Sequence, residues 1–124
     1  MAFLQTDQLS ATSFEDRVPH IQFVTETDGT TFTVNIANRI TIGRNLHENH
    51  PTLDLDTLPD AAHNISRRHA EMTFVNGQLY IQDLHSVTGT YRNGALLAPH
   101  QKCRLRNGDR LQFGSTTFTI RITV

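Results

Sequence analysis

Ser66-Arg67-Arg68-His69 places a hydroxyl, two guanidiniums and an imidazole in four consecutive positions. A guanidinium is a planar fork of N–H donors that fits two oxygens of a phosphate at once, and a hydroxyl adds a short hydrogen bond. The chemistry these residue types suit is capture of a compact anion. Taken alone, the tetrapeptide reads first as a solvated basic loop, so its neighbours must decide. Glu71-Met72-Thr73-Phe74-Val75 follows as a strand, which fixes the polar group at a strand mouth. Two further stretches share the property of leaving a strand with polar or flexible groups: Gly43-Arg44, and Ser86 through Gly94.

The elements that must position these stretches are short and rich in β-branched and aromatic residues. Ile21 to Val24 reads as a strand, Asp28-Gly29 as a turn, and Thr31 to Ile36 alternates with the period of two that a half-buried strand requires. Arg39 to Ile42 runs into Gly43-Arg44. Asn76-Gly77 stands between two β-rich runs, the strongest short-range hairpin signal. Asn93-Gly94, Asn107-Gly108 and Gly114-Ser115 mark later turns, and Thr117 to Val124 alternates strictly. No segment carries a helical period. Residues 45–63 read mostly as loop with a short strand at Leu53-Asp54-Leu55, and Glu48 to Asp60 as a solvated acidic insert. The expectation is an all-β sandwich or barrel. In a sandwich the loops gather at the two ends of the sheets, so three such loops at one end would form a shallow site on a rigid scaffold.

Charge narrows the partner. The formal net charge is −1, but residues 1–60 hold nine acidic and three basic residues, and residues 61–124 three acidic and eight basic. That is too little positive charge, too close to acid, for the usual nucleic-acid binder. A single phosphate fits better. One cysteine, Cys103, excludes an intrachain disulfide. No apolar run is long enough to span a membrane, and residues 1–17 lack the pattern of a signal peptide, so the expected location is the cytoplasm. Residues 1–17 are expected to be a flexible tail and 18–124 the folded domain, with a monomer as the expected state.

The ordered set of motifs resembles the forkhead-associated (FHA) domain. It comprises Gly43-Arg44, Ser66-Arg67-Arg68-His69-Ala70, the run from Asp83 through Gly94, and the run from Leu105 through Gly114. The resemblance covers residues 19–124. It implies a β-sandwich of about eleven mostly antiparallel strands with its ligand loops at one end. It implies phosphothreonine-peptide binding in Ser/Thr-kinase-dependent signalling or assembly, with no catalysis, metal or cofactor. Residue by residue, it assigns Arg44 and Ser66 to phosphate and Arg67 to support of the phosphate or the peptide. Thr88 and Asn93 hold or shape the peptide backbone, and Gly43, His69, Gly89 and Gly94 are structural. Arg68 is expected to face solvent. Thr88 departs from the pattern, because the family places Asn before the glycine that matches Gly89. A hydroxyl is shorter than an amide and lacks its paired donor and acceptor. Weaker or reoriented peptide binding is the consequence expected. Asn64, two residues before Ser66, is neutral and gives no acidic preference. The partner is a phosphothreonine protein, or the chain's own tail phosphorylated at Thr6 or Thr12. The alternative is a phosphate-independent or self-associating interaction scaffold.

Other chemistries are poorly supported. His47, His50 and His63 have no cysteine companions and no tight zinc spacing. The serines lack the glycine-flanked elbow of a hydrolase nucleophile. The acidic insert lacks the alternating oxygen ligands of a calcium loop.

Overall fold

The computed structural model describes residues 18–123; residues 1–17, including Thr6 and Thr12, and Val124 lie outside the described part. Eleven strands follow in order: β1 (His20–Thr25), β2 (Thr31–Asn35), β3 (Arg39–Gly43), β4 (Thr52–Asp54), β5 (Arg68–Val75), β6 (Gln78–Asp83), β7 (Thr90–Arg92), β8 (Ala95–Leu96), β9 (Cys103–Leu105), β10 (Arg110–Phe113) and β11 (Thr116–Thr123). They form a six-stranded sheet in the order β2-β1-β11-β10-β7-β8 and a five-stranded sheet in the order β4-β3-β5-β6-β9. The β3–β4 pair is parallel and the other strand pairs are antiparallel. Among the described residues no helix is long and apolar enough to cross a membrane. None of their His, Cys, Asp and Glu side chains gather in groups of three or more that could hold a metal ion.

Alternation in the sequence becomes the core between the sheets. Phe23, Leu111, Phe113, Phe118 and Ile120 face inward from one sheet, and Ile40, Ile42, Met72, Leu79 and Ile81 from the other, all buried. Phe118 packs edge-on to Phe23 at 5.9 Å between ring centroids and lies 5.8 Å from Phe113. Such aromatic pairs contribute about 0.5–1.5 kcal/mol beyond their buried area. The hairpin signals act as expected: Asn76-Gly77 and Asn93-Gly94 take positive φ at both residues, the type I′ geometry that matches strand twist.

The segment between β3 and β5 departs from expectation. It is not a solvated insert. Leu53, Leu55, Leu58, Ala61 and Ile65 are buried and anchor it to the core. The short strand is displaced by one residue, to Thr52–Asp54, and runs parallel to β3. A single helical turn, α1 (Ala61–Asn64), follows where loop was expected. Four residues carry no readable period; the turn forms because it buries Ala61 and presents Ile65 to the core.

Candidate functional site

Gly43 lies next to the Arg67 backbone in a β3–β5 register that shifts between Ile42 and Gly43. A Cβ at Gly43 would overlap the Arg67 carbonyl, so this position needs the absence of a side chain rather than a positive φ. The close approach lets the Arg44 N–H donate to the Arg67 carbonyl at 3.1 Å. Arg44 Nε donates to the Ile65 carbonyl at 2.6 Å. Both bonds aim the half-buried guanidinium and leave its two Nη groups for a ligand. Asp54 braces the same loop from below, its carboxylate accepting the Asn45 and Leu46 N–H groups at 3.1 and 3.3 Å.

Ser66 is fixed by His69. The Ser66 N–H donates to His69 Nδ1 at 3.0 Å. That nitrogen therefore accepts, so the proton sits on Nε2, which donates to the Gly89 carbonyl at 2.9 Å. The ring is fully buried and meets Phe113 edge-on at 5.5 Å. Burial holds its pKa below the ordinary imidazole value, against the opposing pull of the Gly89 carbonyl and the Asp83 charge. One neutral imidazole thus joins two loops.

Asp83 organises the third loop. It is buried, and its carboxylate accepts the Ser86 N–H at 3.0 Å, the Ser86 hydroxyl at 2.5 Å and the Thr90 hydroxyl at 2.7 Å. The Ser86 oxygen in turn accepts the Gly89 N–H at 3.0 Å. Gly89 takes φ 90°, which a side chain would resist. Asp83 is absent from the ligand-facing groups the sequence points to. The signal was an acid followed at three and seven residues by hydroxyls.

The three loops converge on a cleft of about 140 Å³ lined by Arg44, Asn64, Ile65, Ser66, Val87 and Thr88, with Ala62 and His63 at α1. The Ser66 hydroxyl oxygen accepts the Val87 N–H at 3.0 Å. Its proton remains free to donate. Thr88 donates to the Asn64 carbonyl at 2.6 Å, so toward a ligand this hydroxyl offers acceptor capacity. No carboxylate lines the cleft, and Arg44 brings a permanent positive charge. His63, which in the sequence suggests only a metal ligand, also lines this cleft.

The other expected residues separate. Arg67 is exposed and contributes its carbonyl to the Arg44 bond. Arg68 is exposed beside Glu48 at 3.5 Å. Asn93 and Gly94 are not brought to the cleft. Antiparallel pairing puts Thr90 opposite Phe113 and Arg92 opposite Leu111, so Asn93 lies at the far end of β7 from Gly89. Its amide donates to Asp109 at 3.2 Å, and its oxygen accepts the Arg110 N–H at 2.9 Å. Asp109 also accepts Arg92 Nε at 3.0 Å and the Arg106 N–H at 2.8 Å. Burial pushes the Asp109 carboxyl up, but these donors outweigh it and hold the pKa below the usual carboxylate value. The second Asn-Gly pair is a turn staple.

A family model described as the FHA domain matches residues 40–114. The chain is 40% identical over 55 residues to the probable E3 ubiquitin-protein ligase dma1 of Schizosaccharomyces pombe, covering 41% of this chain and 21% of that protein. It is 42% identical over 50 residues to the protein FraH of Nostoc, covering 40% of this chain and 17% of that protein. The chain thus spans about a fifth of the length of these curated relatives. Among solved structures, one from a structural and functional analysis of phosphothreonine-dependent FHA domain interactions aligns with a TM-score of 0.61 at 25% identity, covering 85% of this chain and 98% of the other.

Proposed function

The chain belongs to the FHA domain family, and from that premise we propose that it is a phosphopeptide-binding module that recognises phosphothreonine on a partner protein. One observation carries this reading. Arg44 and Ser66, on separate loops and each held by backbone hydrogen bonds, line one small cleft free of carboxylates. Prearranged donors lose little freedom on binding, and charge-assisted bonds to phosphate are about twice as strong as neutral ones. Arg44 supplies forked Nη donors and a full charge. Ser66 donates its hydroxyl proton. Thr88 accepts a backbone N–H of the peptide, and Arg67 reaches the ligand from the exposed rim.

Titration with a phosphothreonine peptide library, its unphosphorylated twin and a phosphoserine version, followed by amide shifts, tests the proposal. Binding is expected only for phosphorylated peptides, strongest for phosphothreonine, with the largest shifts at Arg44, Ser66 and Val87. Equal affinity for phosphorylated and bare peptides would overturn it. Arg44→Ala is expected to remove most of the binding and to leave the thermal melt nearly unchanged.

A further inference from the structure

At the end of the sandwich away from the phosphate cleft, a pocket of about 440 Å³ opens between the two sheets. Phe74, Leu79 and Leu105 reach it from one sheet and Ile122 from the other. Phe74 and Ile122 are only half-buried, so apolar surface remains open there. The wall is built: Asn107 Oδ1 accepts the Ile122 N–H at 2.8 Å and ties the turn after β9 to β11. The charged residues that line the pocket are Arg104 and Arg106, two positions apart and so on one side of the chain. No Asp or Glu lines it, and among the described residues neither guanidinium has a carboxylate partner. Arg104 Nε is fully buried and has no hydrogen-bond acceptor among those residues. A buried donor is costly to leave unsatisfied, so this position calls for an oxygen.

Pro19 marks where the preceding chain joins the fold. It lines this same pocket, it is buried, and its carbonyl accepts the Ile36 N–H at 3.1 Å. Residues 1–17 carry Asp7, Glu15, Asp16 and Arg17, a side-chain charge of −2, and Phe14-Glu15-Asp16 joins an aromatic ring to two adjacent carboxylates. We propose that the pocket is the docking site of the chain's own segment Phe14-Glu15-Asp16. Phe14 covers the apolar surface of Phe74 and Ile122, and the carboxylates meet Arg104 and Arg106. An extended chain reaches about 3.5 Å per residue, so Asp16 can lie up to about 10 Å from Pro19 and Phe14 up to about 17 Å. A ligand tethered this closely needs only weak contacts, because its effective concentration is high. Docking has a consequence for Thr12. Two residues before Phe14, it stays within about 7 Å of the docked ring. The eight residues of β5, which run from the phosphate end to this one, span about 23 Å. The docked segment therefore keeps Thr12 from the chain's own phosphate cleft. The docking itself does not depend on the phosphothreonine reading.

Nitrogen–proton spectra of the full chain test the proposal. Residues 14–16 are expected to give heteronuclear NOE values close to those of the strands. The triple variant Phe14→Ala, Glu15→Gln, Asp16→Asn should shift the Gly77, Gln78 and Asn107 amides and the Arg104 Nε–H signal, and leave Arg44, Ser66 and Val87 in place. Arg104→Gln with Arg106→Gln should release residues 14–16 in the same way, with a thermal melt as the check on folding. If that variant does not fold, the tail variant decides alone, since its changes lie outside the strands. Residues 14–16 that tumble freely in the parent chain, or pocket signals that the triple variant leaves unmoved, would overturn the proposal. Pocket shifts that vanish on dilution would assign the segment to a second copy and overturn docking within one chain. Pocket signals that ignore the triple variant but move with an added acetyl-Phe-Glu-Asp amide would assign the pocket to another protein, and overturn it equally.

Discussion

The Ser66 hydroxyl oxygen accepts the Val87 backbone N–H at 3.0 Å, across 21 residues of sequence. The side chain proposed to meet phosphate is therefore also the tie between two of the three loops. Because its oxygen is occupied, the hydroxyl presents its proton to the cleft. Val87 itself is 92% exposed, so the tie acts through its backbone and leaves its side chain at the rim.

Ser66→Ala removes both functions at once. The lost charge-assisted bond is worth about 1.5–3 kcal/mol, so phosphopeptide affinity is expected to fall about ten- to a hundredfold. The melt should drop by only a few degrees, since the tie is one partly exposed neutral bond. Calorimetry and the Val87 amide shift read the two effects separately. Unchanged affinity would remove Ser66 from the site.

Gly43→Ala tests the scaffold. The new Cβ would collide with the Arg67 carbonyl, a backbone atom that cannot swing aside. The expected loss is about 3 kcal/mol or more, seen as a lower denaturation midpoint with a nearly unchanged slope. The β3–β5 amides should lose exchange protection first. A variant as stable as the parent would show that the register at Ile42/Gly43 relaxes freely.

His69 sets a pH dependence. Its pKa is held below the ordinary imidazole value in the folded state, chiefly by burial. The unfolded chain therefore binds the proton more readily, and the stability due to neutral His69 is fully present above the unfolded value of about 6.5. It is lost as pH falls from there through the folded pKa. Protonation would also place a proton on Nδ1, which must accept the Ser66 N–H. Long-range nitrogen–proton spectra should show an Nε2–H tautomer that takes up a proton only at a lower pH than a free imidazole does. A His69 protonated as readily as a free imidazole would contradict this account.

Most of the site was legible because its parts are local. Gly43-Arg44, Ser66 to His69 and Thr88-Gly89 each occupy consecutive positions, and the Asn-Gly turns and strict alternation of β11 set the sandwich that gathers them. What was not legible depends on contacts distant in sequence. Asn93 looks like a loop residue, but the β7–β10 register takes it to the other end of the strand and to Asp109. Asp83 looks like a strand-end acid, and only folding shows three donors converging on it. The packing of Leu55, Leu58 and Ile65 follows no period, because one helical turn and a three-residue strand are too short to have one.

Thr88→Asn tests the departure from the family pattern. The Thr88 hydroxyl commits its proton to the Asn64 carbonyl at 2.6 Å, which leaves only acceptor capacity for a peptide. An asparagine carries an acceptor and two donors on a longer arm. Its amide can hold a peptide N–H and C=O together, and one added neutral hydrogen bond is worth about 0.5–1.5 kcal/mol. Phosphopeptide affinity is therefore expected to rise about two- to tenfold, and binding of the unphosphorylated peptide to stay undetectable. Loss of the Asn64 tie should lower the melt slightly, because that bond is half-buried and single. Slower dissociation with an unchanged association rate would place the gain in the backbone clamp rather than in the charge of Arg44. A drop in affinity would instead mean that the Thr88–Asn64 bond shapes the phosphate cleft, and that threonine is the better residue for this loop.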